Sequence, residues 1–454
     1  MDKIITKNDY KVFKQDGRTY MFIADTGRLF ETEERTIEVL DTLADEHLSL
    51  NDGYNKTSGK EDDSKIIKEL IDANVFFDTT AIKKNTEEKR VEEKSIGAIS
   101  LLVTQTCNLR CTYCYGEDGQ YQDCGIMDCE TALKSVDFFV NESPLDEITI
   151  CFFGGEPLLN FKVIKEVVTH CRRLEKETNK RIRFSMTTNG TLITDEISKF
   201  IEENRIAVQI SLDGDEETQN KNRFDARHVG SYDRVIKNTK TLREKGLLGV
   251  RATLTPFNMD VKEIYRHLDS LGFRKIIISP AFNMMSDGDY DTLAKKYIEW
   301  YLDLENELKK GNYDYVRKAK LFRQELTKID RAIVRTSSCG VGKNMVAIDI
   351  HGNIFPCQRF VALKDYSLGD IDEGITKQKD FVRMVNEVDN ENCEECWIRN
   401  LCVSGCPFCN TSESGDMHLQ NKMCCEYEKK VYAELINIYL RLTDKEKKLL
   451  FNRK

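Results

Sequence analysis

The sequence predicts an α/β protein: a partial (β/α)6 barrel, preceded by a small winged-helix-like α+β module and followed by a cysteine-rich domain. Three observations carry this expectation. Between residues 96 and 290, short apolar runs alternate with stretches of helical spacing, the pattern of parallel strands joined by right-handed crossovers. The first eighty residues carry hairpin signals instead. Of sixteen cysteines, three fall in CNLRCTYC just after the first barrel strand and nine crowd into the 89 residues from 337 to 425.

In chain order, 10–14 and 19–25 read as strands joined at Asp16-Gly17, a strong hairpin signal, with a third strand at 28–31. A helix follows at 33–43, with Ile37, Leu40 and Leu43 on one face, then a polar loop over 51–63 and a helix at 66–74 leading into Val75-Phe76-Phe77. This module takes residues 1–82. The charged run KKNTEEKRVEEK places a linker at 83–95. Barrel strands are expected at 98–104, 147–153, 181–187, 206–212, 249–255 and 275–279. The helices between them fall at 130–142, 161–177, 195–203, 232–245 and 261–271. Two amphipathic helices bridge from the barrel (96–290) across 291–335. The last domain, 336–454, has little regular periodicity before a helix near 426–442, and so needs metal to fold.

A net charge of −9 argues against a nucleic-acid partner, since phosphate binding needs a concentrated basic surface. The N-terminus lacks an export signal's apolar core, and no run of 18 apolar residues occurs, so a cytoplasmic protein with no membrane span is expected. There thiols stay reduced, and metal ligation explains most of the cysteines. Cys124, Cys129, Cys151 and Cys171 lack motif partners; Cys151 and Cys171 are expected as buried thiols. The six histidines show no metal-binding spacing.

Cys107, Cys111 and Cys114 lie on the loop after a strand, where βα barrels build active sites. Iron-sulfur cubanes usually take four thiolates, so three leave one iron open to a ligand. The second strand runs into Gly154-Gly155-Glu156-Pro157, where two glycines permit close backbone approach and the glutamate supplies an acceptor. The third ends in Thr188-Asn189-Gly190-Thr191 and the fourth in Ser211-Leu212-Asp213-Gly214, with short polar side chains at the carboxyl ends. CxxxCxxC with Tyr113 before its last cysteine resembles the signature of radical S-adenosylmethionine enzymes. The resemblance implies catalytic, cluster-holding Cys107, Cys111 and Cys114, with cofactor contacts from Tyr113, Gly154, Gly155, Glu156, Asn189, Ser211 and Asp213. Arg223 could pair with the cofactor carboxylate or make an ordinary ion pair.

Cys339, Gly352 and Cys357, then Cys393, Cys396, Cys402 and Cys406, and a terminal Cys424 or Cys425, resemble the SPASM domain of radical S-adenosylmethionine peptide maturases. Zinc is the alternative, but ribbon-type sites separate their CxxC pairs by about 15–20 residues. The resemblance implies three 4Fe-4S clusters, one radical and two auxiliary. Cys393, Cys396, Cys402 and Cys425 would hold one auxiliary cluster. Cys339, Cys357 and Cys406 would hold the other, one ligand short, with Cys409 the nearest residue to close it.

The function so implied is a peptide maturase that abstracts a hydrogen from a ribosomally made precursor and closes a crosslink, foremost a cysteine thioether, as in sactipeptide and ranthipeptide synthases. The N-terminal module resembles a leader-peptide recognition domain that could take the precursor's leader as an added strand. A reductant such as flavodoxin or ferredoxin is implied. Carbon-carbon crosslinking and epimerisation remain open. Sulfatase maturation is disfavoured because Gln358 stands where those relatives carry an aspartate base. A non-catalytic iron-sulfur or zinc scaffold would not need the three polar motifs on consecutive strands.

Overall fold

The computed structural model describes residues 3–56, 61–76, 96–335, 339–386, 393 and 395–451. The expected linker at 83–95 and Phe77 lie outside the described residues. Six strands, Ala98–Gln105, Glu147–Gly154, Arg181–Thr188, Ala207–Ser211, Leu248–Leu254 and Lys275–Pro280, pair in sequence order, each parallel to the next. Along the later strands burial alternates: Val208, Ile210, Val250 and Ala252 are buried toward the helices, while Gln209, Ser211 and Arg251 are half-buried on the inner face. That inner face is polar and partly open.

The strand Met345–Ile348 adds to the free edge of Ala98–Gln105 in parallel and continues as an antiparallel edge through Asn353–Phe355. The cysteine-rich region is therefore continuous with the barrel sheet, and more regular than its sequence suggests. Short strands buried by tertiary contact have too few residues to show a period. The final helix starts earlier than expected, at Lys422, where Asn421 Oδ1 caps the amides of Met423 and Cys424, and a further helix spans Asp444–Phe451. The bridge is three helices, Asp287–Lys309, Tyr313–Lys318 and Lys320–Asp330.

The N-terminal module is a three-stranded antiparallel sheet, Tyr10–Gln15, Arg18–Ile23 and Leu29–Thr32, with the turn at Asp16-Gly17 and helices at Glu34–Asp45, Leu50–Lys56 and Glu61–Asp72. The loop expected over 51–63 is corrected: residues 50–56 and those from 61 are helical. Ser49 and Asp52 cap the first of these helices reciprocally, and Gly53 lets it close on Leu43.

The module docks on the segment following Cys396. Trp397 meets Phe13 and Phe22 edge to face, and Asn400 donates to the carbonyls of Ala24 and Asp25. Arg399 donates to Asp9 at 2.7 Å and Asp25 at 2.8 Å, all three well buried. Arg399→Ala would leave two carboxylates sharing only Lys3, at a cost of about 3 kcal/mol. Amide hydrogen exchange in Arg18–Ile23 should accelerate while that of Ala98–Gln105 stays protected; unchanged exchange would show that apolar contact alone holds the module.

Candidate active site at the carboxyl ends of the barrel strands

The site begins where strand Ala98–Gln105 passes into the cysteine loop. Thr104 carbonyl accepts from Gly155 N–H and Thr106 carbonyl from Glu156 N–H, both at 3.0 Å. A Cβ on Gly154, at φ +133°, would lie 2.0 Å from the Thr104 oxygen, and one on Gly155 2.3 Å from that of Thr106. The two glycines thus let the second strand's end lie against the cysteine loop of the same chain. Gly119 completes this contact: a Cβ there would come within 2.6 Å of the Cys107 Cβ. No local motif marks Gly119, so sequence reasoning missed it.

Glu156 is fully buried. Its carboxylate accepts from Leu158 N–H at 3.1 Å, the Thr188 hydroxyl at 2.6 Å and Asn189 N–H at 2.7 Å, tying the ends of the second and third strands together. Burial outweighs these donors and pushes its pKa up to about 7. Asn189 receives Thr191 N–H and hydroxyl on its oxygen and donates to Asn108 at 2.8 Å, with its amide 3.9 Å from the Cys107 sulfur.

Asp213, fully buried, accepts from Tyr113 hydroxyl at 2.5 Å, Arg223 Nε at 3.0 Å and Thr253 N–H at 3.0 Å. The Arg223 guanidinium also lies over the Tyr113 ring at 5.1 Å and reaches the Cys111 sulfur at 3.6 Å. A two-residue antiparallel pairing of Arg110–Cys111 with Arg223–Phe224 sets that approach. Asp213 and Arg223 thus form a buried ion pair that braces the cysteine loop. Ser211 pairs in register with Arg251 on the inner face.

The thiols suit a cluster better than a single ion. Burial, then Glu156, pushes Cys107 up to about 12, and burial pushes Cys111 up to about 11 against the pull of Arg223. Loading would have to displace these protons. Among the described residues no three His, Cys, Asp or Glu side chains close around one ion. Cys107, Cys111 and Cys114 nevertheless stand within electrostatic reach of one another, as thiolates arranged around a multi-iron body must.

Two further groups form in the C-terminal region. Cys357 faces Cys406 and Cys339, while Cys425 faces Cys393 and Cys396, with Cys402 close to Cys424 and Cys425. Cys424 is turned inward and accepts from Gln420 at 3.1 Å. Cys409 pairs with Cys406 and accepts from Arg359 at 3.2 Å. The hydrogen bond from Cys409, helped by the Arg359 guanidinium, pulls the Cys406 thiol down, while the same contact and burial push Cys409 up. Arg359 also covers Tyr115 at 4.9 Å, and Tyr115 packs on Phe408, linking the first cysteine loop to this region. Gln358 reaches Ser100 on the barrel's inner face. Of the unmatched thiols, Cys171 is fully buried, Cys151 is half-buried on the inner face and Cys124 is exposed beside Thr106.

Residues 101–271 match the Radical SAM superfamily model. The chain is 27% identical over 377 residues to the cysteine-type anaerobic sulfatase-maturating enzyme of Clostridium perfringens, covering 75% of this chain and 98% of that one. It is 24% identical to the radical SAM cyclopropyl synthase TigE of Paramaledivibacter caminithermalis over 95% of both chains. In structure it resembles native anSMEcpe with bound AdoMet and Cp18Cys peptide (TM-score 0.64, 24% identity, 76% of this chain and 99% of that one). It also resembles Streptococcus suis SuiB bound to its precursor peptide SuiA (TM-score 0.52, 14% identity, 93% and 100%). Over residues 101–271 the cysteine loop, the glycine contact beneath it and the parallel sheet that carries both are those of a radical SAM enzyme.

Proposed function

We propose that this protein is a peptide maturase that uses S-adenosylmethionine to install an intramolecular crosslink, foremost a thioether between a cysteine sulfur and a carbon of a ribosomally made precursor. When bound and reduced, the cofactor and the four-iron cluster supply a carbon radical able to abstract hydrogen. The chain's own groups do the rest. Cys107, Cys111 and Cys114 would hold the cluster, the Gly154–Glu156 backbone and Asn189 would flank the cofactor, and the Asp213–Arg223 pair fixes the loop.

The observation that carries the thioether is the three-thiol set Cys339, Cys357 and Cys406, one ligand short of a closed cubane and so able to take a substrate thiolate. The second auxiliary cluster would sit among Cys393, Cys396, Cys402 and Cys425. A leader peptide would be received by the N-terminal sheet, and a flavodoxin or ferredoxin would deliver electrons. Two known proteins with this fold have been solved with peptides bound, which supports a peptide as substrate.

Carbon-carbon bond formation is the second reading. It is favoured by the contact of Cys409 with Cys406, which could close the first auxiliary cluster, and by the likeness to a cyclopropyl synthase over 95% of the chain. The test is anaerobic reaction with a cysteine-containing peptide encoded beside this chain, then thiol alkylation and mass spectrometry. A thioether loses two hydrogens and protects one thiol. The same mass loss with every thiol alkylated would transfer the assignment to carbon-carbon crosslinking.

A further inference from the structure

We propose that the inner wall of the barrel carries a receptor for an acidic side chain of the substrate peptide, formed by Arg251 and Lys320 with Lys275 at its outer end. This rests on the peptide-maturase reading.

The geometry comes from strand register. Arg251 pairs with Ser211 on one side and Ile277 on the other, and so shares their face, which lines the interior. Lys275 is on the same face two residues before Ile277. Ala319 bridges Ile276 in parallel, which turns the next residue, Lys320, to the interior beside Lys275. Three cations from two strands and a helix start therefore converge on one wall.

Among the described residues none of them is paired with an acid. The charged groups facing Arg251 are Arg359 and Arg223, and Arg223 is already taken by Asp213. Those facing Lys320 are Lys275 and Arg251. Among the described residues no carboxylate lies within ion-pair distance of Arg251, Lys275 or Lys320. Neighbouring Lys318, by contrast, pairs with Asp269 at 2.6 Å. Burial and mutual repulsion push Lys320 down to about 8 and also lower Arg251. An anion between them would relieve both effects.

The position argues for a peptide rather than the cofactor. The glycine contact, Asn189 and the cysteine loop stand at the carboxyl ends of the strands; Arg251 adjoins them through Ser211 and Arg223, whereas Lys275 opens its strand, about 16 Å back from the carboxyl end at ~3.3 Å per residue. The cationic wall thus runs from the amino rim toward Ser211, along a path an extended peptide can follow. A guanidinium offers two parallel donors to a carboxylate and only a weak match to an amide.

The test uses the reconstituted full-length enzyme with S-adenosylmethionine and three fluorescently labelled dodecapeptides containing one cysteine. The first has a glutamate next to it and an amidated C-terminus. The second has glutamine there instead. The third has the glutamine and a free C-terminal carboxylate. Anisotropy should show the glutamate peptide binding about tenfold more tightly than its glutamine twin, an order of magnitude typical of one charge-assisted contact. The ratio should collapse in the Arg251→Gln/Lys320→Gln variant and recover in Arg251→Lys, with iron content and melting curves checking that each variant folds.

Equal affinity for the first two peptides, or a preference that survives the double substitution, overturns the proposal. So does tight binding of the third peptide alone, which would move the ligand to the chain terminus. Weakened S-adenosylmethionine binding in the double variant would assign the wall to the cofactor and also overturn it. Because the readout is binding, absence of any crosslinked product would count against the maturase reading alone.

Discussion

Asp213→Ala should destabilise the protein by about 3–5 kcal/mol and abolish formation of 5'-deoxyadenosine, because it strips a buried guanidinium of its counter-charge. Asp213 is fully buried and holds Arg223, the Tyr113 hydroxyl and the amide of Thr253 at once. Arg223 in turn pairs by backbone with the cysteine loop and reaches Cys111. Loss of the carboxylate therefore acts on the loop through two routes, the tyrosine and the arginine. The checks are urea denaturation of the metal-free protein and iron content after reconstitution. Asp213→Asn keeps the shape but not the charge and should lose less stability. A stable Asp213→Ala variant with full iron content would show that the loop is held by its thiols alone.

Glu156→Leu should cost about 2–5 kcal/mol, since three buried donors, Leu158 N–H, Asn189 N–H and the Thr188 hydroxyl, would lose their acceptor. Glu156→Gln separates charge from hydrogen bonding. Burial raises the folded carboxyl to about 7 from 4.5, so the folded state favours the protonated form. That contribution is complete below about pH 4.5 and is lost as pH rises to about 7, up to roughly 3 kcal/mol. The glutamine variant has no such titration. Between pH 4.5 and 8 wild-type stability should therefore fall relative to Glu156→Gln in denaturation of the metal-free protein. Parallel pH profiles would mean that the three donors hold the carboxylate ionised throughout.

Much of this protein was legible in its residues. The alternation of apolar runs from Ile99 to Ile278 with helical spacing between them marks the six parallel strands, because a strand buried on its outer face repeats every two residues and a helix every three or four. CNLRCTYC and the run of Gly154-Gly155-Glu156 announced themselves by residue type. Less legible was what those residues do. The carboxylates of Glu156 and Asp213 also accept from the chain's own donors, and partners 32 and 100 residues apart in sequence leave no local trace.

By itself the sequence determined the order of strands and helices in the barrel, the thiol group Cys107, Cys111 and Cys114 and the hairpin at Asp16-Gly17, each of which is written in residues close together in the chain. Only the tertiary structure decided that Met345–Ile348 extends the barrel sheet, that Trp397 and Arg399 seat the N-terminal module, and that Arg251, Lys275 and Lys320 share one wall. The reason is physical: periodicity records which face of an element is buried, while the identity of what meets that face depends on chain closure over tens to hundreds of residues, which no local pattern encodes.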